Sequence, residues 1–225
     1  MNYLYSFPKQ AAFGRVLPKN KIYEHAAPST KIKNLFVQQI EKITWAYKLS
    51  PETLNLPRST GVHEIQVFEI ELKSETLKHE VLQVIDKAIP SPILFILKFK
   101  NRLRYVAAYK RPSESDRNKW VVSGYFETEW LEPQINTDER KYKNLPVVLN
   151  MGALYEAILK DLIPLIAHTG ESLDALVSRV DQLLVKEREA NNLESRMKKE
   201  KQFNKKVELN RSLNELKTEI ERLKK

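Results

Sequence analysis

The chain has no cysteine in its 225 residues. Disulfide frameworks, thiolate metal sites and cysteine nucleophiles are therefore closed to it, and the composition suits a reducing compartment. Glycine is nearly as scarce, at five positions. Neither G-x-x-x-x-G-K-[ST] nor G-x-G-x-x-G occurs, so no glycine-rich loop is available to cradle a phosphate, and a serine nucleophile elbow is missing too. The four histidines, His25, His63, His79 and His168, are scattered. None pairs with another at i, i+4, so the sequence offers no zinc helix. On these grounds no metal and no cofactor is expected. Long apolar runs are also missing. A run such as 93–97 is far too short to cross a bilayer. The opening MNYLYSFPKQ lacks a basic region followed by an apolar one, so no signal peptide is expected. The resulting expectation is a cytoplasmic protein without membrane contact.

What is present is an ordinary core and an excess of positive charge. Hydrophobic residues make up 42%, enough to bury one domain plus an extension. The formal net charge is +9, which favours a polyanionic partner, nucleic acid first.

Read in order, residues 1–28 are broken by Pro8, Gly14, Pro18 and Pro28. Tyr3, Tyr5, Phe7 and Phe13 give this arm enough aromatic surface to pack on a domain. Ile32, Phe36, Ile40, Ile43 and Tyr47 form one stripe at helical spacing, which predicts a helix over 30–47. Residues 62–73 alternate as a strand. Val67 and Phe68 are both apolar in adjacent phases, which predicts a bulge there. A helix over 74–89 follows, ended by Pro90 and Pro92. Three strands come next, over 93–100, 103–110 and 119–127, as an antiparallel meander. The expected class is α+β: a small, mainly antiparallel sheet with helices on one face, followed by C-terminal helices forming a coiled coil. The expected organisation is an α+β domain over 1–132, a linker over 133–149, a packing helix over 150–168 and a helical extension over 169–225.

The extension carries the clearest pattern. Leu209, Leu213, Leu216, Ile220 and Leu223 are spaced four, three, four, three. That is a coiled-coil seam, and one helix has nowhere to bury it alone. These five residues are the expected oligomerisation surface, homo- or heteromeric. Phe203 and Val207 fall out of phase with the seam, so a break between 187 and 203 is expected.

Two basic stretches are candidates for nucleic-acid contact. Arg102, Arg104, Lys110, Arg111 and Lys119 decorate the meander, with Tyr105, Tyr109 and Trp120 nearby, a mixture able to hold a backbone and stack bases. The aromatics are equally explained as core residues. Lys198, Lys199 and Lys205 belong to the second stretch, with Lys201, Lys206 and Arg211. On a single helix these wrap around most of the surface, which argues for a solvated helix over a groove reader. A third constellation, Glu69, Glu71 and Lys73, lies on one face of the first strand of the sheet and matches half of the E-x-K nuclease signature, in which carboxylates hold Mg²⁺ and the lysine orients water. The signature also needs an acidic strand end before it, which is absent. A solvated face with cross-strand ion pairs explains the same residues.

The order of segments IQVFEIELK, VIDKAIPSPILFILKF, YVAAYKR, GYFETEWL, LYEAIL and EKQFNKKVELNRSLNELK resembles a bacterial family known only as a domain of unknown function, number 4391. The resemblance spans nearly the whole chain. The family's genes often sit beside helicase and methyltransferase genes in restriction-like defence islands. The resemblance therefore implies an accessory role in anti-phage defence, and it supplies no catalytic residues. The functional expectation is a non-enzymatic subunit that assembles with a helicase or methyltransferase and contacts DNA. The alternatives are an E-x-K nuclease and an RNA or single-strand binder.

Overall fold

The computed structural model of the protein describes residues 3–113, 120–132 and 142–225. It divides into two compact units, Met1–Leu162 and Ile163–Lys225. In the first unit the elements run β1 (Leu4–Ser6), a 3-10 turn at Lys9–Ala11, β2 (Ala12–Val16), α1 (Lys19–Ala26), α2 (Thr30–Gln39), β3 (Ile40–Leu49), α3 (Pro51–Leu54) and β4 (Ile65–Leu72). They continue with α4 (His79–Ala88), β5 (Ile93–Phe99), β6 (Arg102–Pro112), β7 (Trp120–Glu127), β8 (Tyr142–Asn144) and α5 (Met151–Leu162). The main sheet has the order β2-β3-β4-β5-β6-β7. Every pair in it is antiparallel except β4 with β5, which α4 connects. This is the mainly antiparallel α+β sheet the residue pattern implies.

The helix expected over 30–47 is half right. It ends at Gln39, and Ile40–Leu49 is the strand β3. The misleading signal has a physical source. Two irregularities in the β3–β4 register, between Ile40 and Lys42 and between Trp45 and Tyr47, each insert a residue. They stretch the period of two into three, so Ile40, Ile43, Ala46 and Leu49 are all buried. The bulge expected at Val67–Phe68 is present opposite those two residues, on β3. The helix expected from Ser74 starts later, at His79.

One face of the sheet is closed by helices. Ile43, Phe68, Ile70, Phe95, Leu97 and Val106 pack with Phe36 of α2 and with Val81, Leu82 and Ile85 of α4. The other face is reached through Tyr105, which is out of phase with Val106 on the same strand. Its hydroxyl accepts from the Tyr5 amide at 2.9 Å, and the Tyr5 hydroxyl donates to Asp161 of α5 at 2.6 Å. The N-terminal arm and α5 therefore lie on this second face. Asp161 also accepts from Tyr3 at 2.5 Å and from Lys143 of β8 at 3.2 Å. Burial alone raises the Asp161 carboxyl, but the hydrogen bonds from Tyr3, Tyr5 and Lys143 leave it below the usual carboxylate value. β8 pairs in parallel with β1, so the far end of the expected 133–149 linker is a strand, while 133–141 lie outside the described residues.

The β6–β7 register shifts between Ala108 and Lys110. The Tyr155 hydroxyl of α5 donates to the Ala108 carbonyl and accepts from the Lys110 amide, both at 2.7 Å. One buried side chain thus satisfies two backbone groups at the irregularity.

The second unit contains α6 (Leu173–Lys199) and α7 (Phe203–Lys224). The Ser172 hydroxyl caps α6 by accepting from the Ala175 amide at 3.2 Å. The break falls at 200–202, later than Asn191-Asn192, and the two helices fold back on each other. Leu213 and Ile220 of α7 are buried against Leu183 and Ala190 of α6, with Leu193, Met197 and Leu223 at the margins. Ion pairs Lys186–Glu219 (2.6 Å), Lys217–Glu194 (2.9 Å) and Lys224–Glu187 (3.0 Å) cross between the helices in antiparallel register. Of the five residues expected to meet a second chain, Leu213, Ile220 and Leu223 pack against α6 of the same chain. Leu209, Leu216 and Leu223 are half-buried, and Leu213 and Ile220 are buried. The seam is thus covered in part by the chain itself.

Arg179 locks the open end of this hairpin. Its guanidinium donates twice to Glu171, at 2.9 and 2.8 Å, and to the carbonyls of Leu223 and Ile166 at 2.7 and 2.8 Å. These hydrogen bonds, Arg179 first, hold the Glu171 carboxyl at about 2, below its ordinary 4.5. The contribution of this clamp is therefore complete above pH about 4.5 and is lost as pH falls toward about 2. Thermal melts of the wild-type and Glu171→Gln chains should differ most at neutral pH and converge near pH 2. A difference that does not change with pH would exclude this role for Glu171.

Candidate nucleic-acid interface

The reversal between α6 and α7 uses neither glycine nor proline. Glu200 makes it: its carboxylate accepts from the amides of Lys201 and Gln202, both at 2.8 Å. Around this turn, 196–206 carries Arg196, Lys198, Lys199, Lys201, Lys205 and Lys206 against Glu200 as the sole carboxylate. That carboxylate is engaged by backbone amides. Lys198, Lys199 and Lys205 are exposed, and among the described residues none of the six cations forms an ion pair. On the shaft of the same hairpin Lys186, Arg211, Lys217 and Lys224 each stand beside a glutamate, while the exposed Arg188 and Arg222 form no ion pair among the described residues. Lys205 and Lys206 also lie in the first turn of α7, which itself carries no acidic residue; the nearby Glu200 is the carboxylate they act on. Cations there oppose the helix dipole, an arrangement that helix stability does not favour.

The meander presents the opposite picture. Arg102 pairs with Glu75 at 3.1 Å and Arg104 with Glu127 at 3.0 Å, while both guanidinium groups lie over the Trp130 ring, at 5.5 and 4.8 Å. The Arg104 Nε is buried without a partner. His79 stands 3.6 Å from Glu127. Its hydrogen bond, with the neighbouring Arg104, holds the Glu127 carboxyl below the usual carboxylate value. Tyr105 and Tyr109 are buried. Arg111 is half-buried and engaged, and Lys119 lies outside the described residues. The arginines and aromatics expected to hold nucleic acid here are thus largely committed to the protein itself.

Lys110 is a plain correction. It was expected on a nucleic-acid surface, yet it is 2% exposed. Its ammonium donates to the carbonyls of Asp86 (2.8 Å) and Ser91 (3.1 Å) and to that of Ile89, and it sits 3.5 Å from the Asp86 carboxylate. Tyr125 donates to the other Asp86 oxygen at 2.5 Å. The lysine therefore satisfies carbonyls left free where α4 ends, the need that a C-cap usually meets. Burial pushes the Asp86 carboxyl up and the Lys110 ammonium down, while the three carbonyls favour the charged lysine.

The E-x-K residues are drawn apart by their partners. Glu69 pairs with Lys98 at 2.6 Å and Glu71 with Lys42 at 3.3 Å. Lys73 donates to the Val37 carbonyl at 3.0 Å and lies 3.7 Å from Glu41. These are the cross-strand and strand-end pairs of a solvated face. Among the described residues no group of three histidine or acidic side chains is placed to hold a metal ion.

Lys198, Lys199 and Lys205 therefore share the turn with Lys201 and Lys206 of the same expected stretch and with Arg196, which lay outside it. Phe203 was missed as well. It is 78% exposed at the tip, and its departure from the seam phase was the available signal. For Lys110, replacement by methionine leaves Asp86 buried without its counter-ion, and should cost about 3–5 kcal/mol. Urea unfolding should show that loss, with partial recovery in Lys110→Met/Asp86→Leu. An unchanged midpoint in the single variant would contradict the burial of this charge.

No curated protein and no solved structure matches the chain. A family model described as "Domain of unknown function (DUF4391)" matches residues 6–220, nearly the whole chain. The sheet unit and nearly all of the helical hairpin lie within that match, and the protein belongs to this family.

Proposed function

We propose that the protein is a non-enzymatic accessory subunit of a bacterial anti-phage defence system that contacts DNA through the tip of its helical hairpin. The observation that carries the DNA contact is the concentration of charge at the turn. Residues 196–206 bring six cations against one carboxylate, and among the described residues none of the six forms an ion pair. Unmatched lysines around one turn lose little on meeting phosphates and release condensed counterions when they do so. The defence setting, with a helicase or methyltransferase subunit alongside, rests on the family's gene neighbourhood. Such a subunit would dock on a surface other than the leucine seam, which α6 already occupies. The nuclease reading draws no support from Glu69, Glu71 and Lys73, each of which has a different partner.

Binding to a blunt DNA duplex, titrated with salt, tests the proposal. Each phosphate contact contributes a slope of about 0.9 in log K against log salt. The variant Lys198→Glu/Lys199→Glu/Lys205→Glu should lose affinity and flatten that slope by about 3. Replacing Arg102 and Arg104 by glutamine should leave the slope nearly unchanged, since both are paired within the protein. Wild-type slope in the triple variant would refute the assignment of DNA contact to the tip.

A further inference from the structure

Among the eight phenylalanines and three tryptophans, Phe203 alone is open to water. It opens α7 at 78% exposure, and Val207, one turn further on, is 53% exposed. At about 100° per residue, the two lie on one side of the helix, roughly a quarter to a third of a turn from the line of Leu213 and Ile220. They therefore belong to no part of the hairpin seam. On the helix surface Lys206 stands about 60° from Phe203, whereas Lys205 projects from the opposite side, and Lys198, Lys199 and Lys201 stand across the turn. The result is a short apolar ridge with Lys206 beside it and the cations at the end of α6 across the turn.

A blunt duplex offers this ridge nothing. Its phosphates satisfy the lysines, but its base faces are stacked away from a lone aromatic ring. An unpaired base offers both a phosphate and a free π-face, and stacking on aromatic side chains is indifferent to sequence. A lipid surface fits less well. An interfacial helix needs a continuous apolar face, and the next apolar residues of α7, Leu209 and Leu213, belong to the hairpin seam.

We infer that the hairpin tip binds DNA at unpaired bases, with Phe203 stacking on a base while Lys198, Lys199, Lys201 and Lys206 hold the flanking phosphates. This rests on the DNA contact proposed above and specifies the kind of DNA. It makes the tip bind tails, gaps or forks in preference to intact duplex.

Fluorescence anisotropy with the full chain separates the two ideas. The probes are a blunt duplex, the same duplex with a single-stranded tail, and vesicles containing phosphatidylserine. The wild-type chain should prefer the tailed DNA. Phe203→Ala and Phe203→Leu should each lose about 5- to 140-fold on tailed DNA and keep the duplex affinity, because leucine preserves apolar volume without a π-face. Circular dichroism should be unchanged in both variants, since the ring is largely exposed. Tailed-DNA affinity that survives Phe203→Ala, or that Phe203→Leu fully retains, overturns the stacking role. If that happens while charge reversal at Lys198, Lys199 and Lys205 still abolishes duplex binding, the DNA contact stands and only this inference falls. If the wild-type chain binds neither DNA, both fall. Vesicle binding that needs Phe203, without a tailed-DNA preference, assigns the ridge to lipid and overturns the inference.

Discussion

A stripe of leucine and isoleucine on the last helix has to leave water, and it does so against the helix before it. The consequences spread through the whole second unit. Because Leu213 and Ile220 meet Leu183 and Ala190, the chain must reverse between Lys199 and Phe203. Reversal fixes which charges face each other. Along the shaft, lysine meets glutamate; at the turn, six cations converge and the one glutamate is used to build the turn itself. The hydrophobic requirement thus sets the electrostatics, and the electrostatics define the surface available to a polyanion.

The sheet unit follows the same logic with a different charge. Lys110 is carried inside and spends its ammonium on the carbonyls after α4. The Tyr155 hydroxyl serves the neighbouring backbone irregularity. Arg102 and Arg104 are held by Glu75, Glu127 and the Trp130 ring. A stretch of sequence that reads as a basic, aromatic surface is in the folded chain mainly a set of internal ties. Counting lysines and arginines by position cannot separate a tie from a free contact; the location of the nearest carboxylate or carbonyl can.

Much of the fold was legible in the residues. β4 to β7 begin and end within a few positions of the expected strands, because alternation and proline punctuation are strong there. Ile40–Leu49 was not legible as a strand, since two bulges gave it a helix-like spacing. The hairpin was hidden by its turn: Lys199, Glu200 and Lys201 carry no glycine or proline signal, and the reversal depends on one side chain accepting two amides. Without the turn, Lys198, Lys199 and Lys205 wrap around a helix and point nowhere in common. With it, they share one end of the hairpin. The buried state of Lys110 had no sequence signal either, because its acceptors come from α4 and the loop after it, some twenty residues earlier.

The absence of native cysteine allows the central claim to be tested with a single labelled pair. Asn191 and Glu221 line the same groove on the hairpin, beside Ala190 and Ile220. With Asn191→Cys and Glu221→Cys carrying spin labels, pulsed dipolar spectroscopy should report one short separation. That separation should persist unchanged when the labelled chain is diluted into excess unlabelled chain. A short separation that disappears on dilution would place the seam between chains and contradict the account.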